Sequence, residues 1–102
     1  MALPPSDKQA KANLGANIKR LRGAYTLKQL ADLCRTDDWK CWPSTIGQVE
    51  SGRHLPGAGV AARIAYGLGI LVGREITVDE LLLPPPPRRK PREVLAQVIH
   101  DA

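Results

Sequence analysis

Residues 44–56 read STIGQVESGRHLP, a short helix with a polar outer face, a stop and a basic exit. Ile46 and Val49 fall three apart and can turn toward a core, whereas Ser44, Gly47, Gln48 and Ser51 recur at i, i+3, i+4 and i+7 on the opposite side. A surface helix kept for solubility carries Lys and Glu on such a face. Here small residues surround a single Gln, which suits close approach to another molecule, and a Gln amide can bond an adenine edge at two points. Pro43 lacks an amide proton and has a fixed φ, so it fits the first helical position, and Gly52 can take the left-handed conformation that ends a helix.

Toward the N-terminus, Ser6 and Gln9 have the spacing of a capping box, so a helix is predicted from about Asp7 to Gly23. Its inward stripe is Ala10, Leu14, Ile18 and Leu21, with Lys11, Lys19, Arg20 and Arg22 mostly off that stripe. Thr26 and Gln29 repeat the box and open a second helix with Leu27, Leu30, Ala31 and Leu33 or Cys34 inward. Arg35 to Pro43 holds two adjacent acids, two Trp and a Pro with neither helical nor strand period, and is expected to be an ordered loop.

Toward the C-terminus, a fourth helix is predicted from after Pro56 to about Gly67, with Val60, Ala61, Ile64, Ala65 and Leu68 inward and Gly69 as its terminator. The segment ILVGREI (70–76) is expected to form a turn or a small hairpin. Thr77 and Glu80 give a third capping box, opening a short fifth helix in TVDELLL (77–83) that closes the core with Val78, Leu81 and Leu82. Four consecutive prolines, Pro84 to Pro87, cannot continue a helix and start an extended linker over 84–91. In the tail 92–102, Val94, Leu95, Val98 and Ile99 share one side of a short helix that needs a partner for its apolar face.

The 102 residues suit one domain, expected over 6–83. With 4% aromatics and no Phe, the core must come from Leu, Ile, Val and Ala, which favours an all-α fold of small packed helices. The formal charge of +5 favours a polyanionic partner, and the basic excess is concentrated in residues 1–55, with nine Lys or Arg against five acids. No apolar run approaches the roughly 20 residues of a membrane span, and the N-terminus lacks a signal-type segment, so a cytoplasmic location is expected. His54 and His100 have no nucleophile and carboxylate arranged around them, so neither an enzyme nor a small-molecule substrate or cofactor is expected.

Cys34 and Cys41 leave three readings open: ligands of a metal with His54 and Asp37 or Asp38, a disulfide, or two small apolar residues supporting a loop. No pair has the tight spacing of common zinc sites, and no metal is expected.

LGANIKRLR (14–22), TLKQLA (26–31), STIGQVESGRHLP (44–56) and TVDELLL (77–83) together resemble the Cro and lambda-repressor-like helix-turn-helix domains, the XRE family. The resemblance implies a five-helix fold with the third helix in the major groove of double-stranded DNA. It places Ser44, Gly47 and Gln48 against bases, and Thr26, Lys28, Ser51, Arg53 and His54 against phosphates. It also implies an ion pair between Glu50 and Arg22, with Arg20 as the alternative partner. The implied function is transcription regulation, as a repressor of the phage-immunity or Cro type, acting as a homodimer joined through residues 92–100 or the fifth helix. An antitoxin-like module that captures a protein partner with its C-terminal tail is the alternative.

The chain departs from the family pattern in three places. Leu27 stands where a phosphate-contacting Gln is usual, the connection between the first two helices is short, and the 35–43 turn is more than twice the usual length. That turn either carries Lys40 with Trp39 or Trp42 toward the DNA backbone or, as preferred here, folds back with both indoles in the core. RRKPR (88–92) reads equally as a basic arm on DNA or a solvated charge run.

Overall fold

A computed structural model describes residues 5–86; the tail 92–102 and most of the linker lie outside the described residues. These fold into five helices with no strand: α1 (Asp7–Arg22), α2 (Leu27–Cys34), α3 (Pro43–Glu50), α4 (Ala58–Val72) and α5 (Val78–Leu82). The domain is therefore all-helical. α4 packs on α2, α1 and α5, while α3 packs on α1 and α2. Leu14, Ile18, Leu30, Ile46, Val49, Ile64, Leu68 and Leu81 are fully enclosed, each contributing roughly 1.5–3 kcal/mol relative to exposure.

Helix starts follow local chemistry. Ser6 Oγ accepts from Gln9 N at 3.2 Å while Gln9 Oε1 accepts from Ser6 N at 3.0 Å, which satisfies two amides that have no partner inside α1. Thr26 and Gln29 close the same box on α2 at 3.0 and 2.8 Å. At α5 only half of the expected box forms: Thr77 Oγ1 accepts from Glu80 N at 3.1 Å, but the Glu80 carboxylate goes to Arg74 at 2.9 Å instead of back to Thr77. The ion pair outcompetes the neutral amide for the same oxygens.

The end of α4 corrects the sequence expectation. The helix runs through Gly67 and Gly69 to Val72 and stops at Gly73, whose φ of 76° is the left-handed conformation only glycine takes without strain. No turn or hairpin begins at Ile70, and Ile76 is buried in the core.

Asn17 was absent from the predicted stripe but is buried, with Nδ2 donating to the carbonyls of Leu81 (2.9 Å) and Leu83 (2.8 Å). Asn13 Nδ2 donates to Leu82 O at 2.9 Å. These two amides satisfy carbonyls at the end of α5 that the helix itself leaves open, and so fasten α5 to α1.

Candidate nucleic-acid interface

α3 carries Ile46 and Val49 into the core and leaves Ser44, Gln48 and Ser51 exposed. Its placement is fixed from behind by α1. A Cβ at Gly15 would lie 2.5 Å from the carbonyl oxygen of Glu50 and 2.6 Å from that of Val49, so the absence of a side chain there lets the last turn of α3 rest directly on α1. The Arg22 guanidinium then grips Glu50 at two points, Nε to Oε1 at 2.7 Å and Nη2 to Oε2 at 3.2 Å, and its Nη1 donates to Tyr25 O at 2.6 Å. One side chain thus ties the end of α1, the turn before α2 and the end of α3. Arg20 is engaged elsewhere, donating to Asn17 Oδ1 at 3.0 Å. Gly52 follows α3 with φ 77° and turns the chain away toward Arg53 and His54.

Gly47 is half-buried, and a Cβ there would meet Leu27 Cδ1 at 3.6 Å, so its Cα–H side faces the start of α2. Leu27 packs against the core, and the phosphate contact expected of a Gln at that position has no counterpart there. Lys28, beside it, is exposed.

The residues expected against phosphates divide in two. Thr26 Oγ1 is occupied within the cap of α2, and Ser51 Oγ donates to Gln48 O at 2.7 Å, so both hydroxyls already serve the helix ends. Lys28, Lys40, Arg53 and His54 are exposed, and Lys28, Lys40 and Arg53 form no ion pair among the described residues. These cations flank α3 through the start of α2, the loop before α3 and the turn after it.

The segment between α2 and α3 does not bury both indoles. Trp39 is half-buried against the core, held by a turn in which Thr36 and Trp39 exchange backbone hydrogen bonds at 3.0 and 3.3 Å, whereas Trp42 is 57% exposed. Cys34 and Cys41 are both buried and reduced, one at the end of α2 and the other two residues before Pro43. Burial pushes the Cys34 thiol up to about 12, neighbouring Cys41 adds to the rise, and burial raises Cys41 as well. Two neutral thiols packed in the core act as small apolar residues beneath the 35–43 segment, and His54 is exposed. Among the described residues no group of three or more His, Cys, Asp or Glu is placed to hold a metal, and no helix is long and apolar enough to cross a membrane. No family model, curated protein or solved structure matches this chain.

Proposed function

We propose that the chain binds double-stranded DNA in a sequence-specific manner, with α3 in the major groove of a lambda-repressor-like domain, and acts as a transcriptional repressor of the phage-immunity or Cro type. The observation that carries this reading is an exposed, uncharged face on α3, with Ser44 and Gln48, held by the Gly15 contact and the Arg22–Glu50 pair and flanked by three exposed cations that form no ion pair among the described residues. Gln48 supplies the bidentate donor and acceptor for a base edge, and Ser44 supplies a hydroxyl one turn earlier. Lys28, Lys40 and Arg53 hold phosphates and set the register, with His54 beside them. Thr26 and Ser51 contribute by ordering helix ends. Gly47 contributes by closeness, since it has no side chain to bond a base.

A module of this size reaches only a few base pairs, so useful specificity comes from two copies on half-sites about 34 Å apart. Residues 92–100 or α5 are the proposed joint. Repression follows from occupancy of a promoter, with no catalytic step assigned to any residue. The test is selection of bound sequences from random duplex DNA. Enrichment of a two-fold symmetric motif supports the reading, and a bound pool indistinguishable from the input removes it.

A protein-capture role has one observation in its favour: α4 exposes Tyr66 (62%), Ile70 (50%) and Val72. Deleting residues 84–102, which leaves α4 and α5 in place, separates capture by the tail from a dimer joint within residues 92–100. A tail that only captures a partner leaves DNA affinity intact when removed, whereas a dimer joint lowers it steeply.

A further inference from the structure

We infer that Trp42 is a second DNA-contacting element, its indole lying on the sugar and base edge next to the bases faced by α3, with Lys40 beside it on a phosphate. The inference rests on the proposed DNA-binding role of α3 and extends it to the enlarged segment before that helix. From Trp39 to Trp42 the side chains alternate: Trp39 is half-buried, Lys40 exposed, Cys41 buried and Trp42 exposed. Such alternation is what extended backbone gives, and Trp42 itself is extended at φ −104° and ψ 143°. Burial of Trp39 and Cys41 therefore obliges Lys40 and Trp42 to share the outward side. The acid nearest in sequence on the other flank, Asp38, lines a cleft of about 310 Å³ with Trp39, Val60 and Arg63, against α4.

Trp42 is also fixed to the helix it precedes. Its carbonyl accepts from Thr45 N at 3.0 Å and Ile46 N at 3.4 Å, and Pro43 restricts the joint, so the Trp42 backbone is held at the start of α3, two positions before Ser44. The same short segment tucks one indole against the core and leaves the other in water, which marks the second as available to a partner. Lys40 shares that outward side, and the exposed residues Ser44 and Gln48 of the helix that Trp42 precedes are polar as well, so an apolar protein surface covering this end of α3 would strand hydrogen-bonding groups. A duplex edge suits the set: deoxyribose and thymine methyl for the indole face, a phosphate oxygen for its N–H and for the Lys40 ammonium.

The experiment measures affinity for a selected duplex and the emission of single-indole proteins. Trp42→Ala is expected to weaken binding by about tenfold, with Trp42→Phe retaining most of it and the thermal midpoint of both unchanged. In the Trp39→Phe protein, the remaining emission of Trp42 should be quenched on adding that duplex; in Trp42→Phe, the emission of Trp39 should hardly change. Affinity of Trp42→Ala within about twofold of the parent overturns the inference while the Gln48-dependent motif stands. Loss of self-association in Trp42→Ala, with half-site affinity retained, also overturns it and makes the indole a protein contact. A parent protein that enriches no duplex sequence removes the α3 reading and this inference with it.

Discussion

α3 and α4 both pack on α2, and each turns to solvent a face almost without charge, yet the two faces differ in what they can bond. Within α3 the one ionised side chain, Glu50, is committed to Arg22, and the exposed positions Ser44 and Gln48 offer donors and acceptors. Within α4 the one charged residue is Arg63, and the exposed positions include Ala58, Ala62, Tyr66 and Ile70. An apolar face gains only by shedding water, so it suits another apolar surface. A polar, uncharged face can replace the hydrogen bonds of water with those of base edges. Absence of charge therefore marks a helix as unusual, and the polar inventory decides which class of partner fits.

The largest expected effect is on the support of α3. Gly15→Ala sets a methyl against backbone carbonyls that cannot rotate away, so stability should fall by about 3 kcal/mol or more in denaturant titration. An equivalent loss is not expected for Ala62→Ser on the open face of α4, and equal destabilisation by both would remove the distinction between the tightly seated position and the open one. Glu50→Ala should cost about 2–3 kcal/mol, because it leaves the Arg22 guanidinium, 17% exposed, without its bidentate partner. Glu50→Gln, which keeps one acceptor, should lose less; a loss as small as that of an exposed pair such as Arg35–Asp32 would show the tie to be ornamental.

The joint between the two helices makes a pH prediction. Cys34 lies beside Cys41 before α3, and a Cβ on Gly67 of α4 would meet its sulfur at 2.7 Å. Its folded pKa, pushed up to about 12, exceeds the ordinary 9.0, so the stability it lends is complete below about pH 9 and is lost as pH rises toward 12. The expected slope is on the order of 1.4 kcal/mol per pH unit in that window. Cys34→Ala should flatten the alkaline limb of the unfolding curve, and an identical limb in both proteins would contradict the assignment. Below pH 9 both thiols should resist alkylation until the chain unfolds, since the reactive thiolate is suppressed by burial.

Much of this fold is legible in sequence where the cause is local. Ser6 with Gln9, Thr26 with Gln29, and Pro43 at the first helical position each act within one turn, and all three start helices where their spacing predicts. The failures have tertiary causes. Gly67 and Gly69 look like terminators, but α2 and the 74–76 segment approach them closely while Gly73 does the terminating. Asn17 reads as a polar surface residue until α5 supplies carbonyls for it. The Arg22–Glu50 pair, expected from the resemblance, forms with bidentate geometry. The exposure of Ser44 and Gln48 follows from helical period, but the inward turn of Gly47 toward Leu27, and the prior use of the Thr26 and Ser51 hydroxyls, depend on neighbours that spacing does not reveal. The alternation from Trp39 to Trp42 spans four residues, too few to stand out as a period before the core is known.

Parallel selections from random duplex DNA with the parent, Gln48→Ala and Tyr66→Ser proteins set the two faces against each other. If α3 reads bases, Gln48→Ala should relax one position in each half-site at a cost of roughly 1–3 kcal/mol, while Tyr66→Ser keeps the parent motif. A motif unchanged by Gln48→Ala, or altered by Tyr66→Ser alone, would contradict the assignment of α3 as the surface that meets DNA.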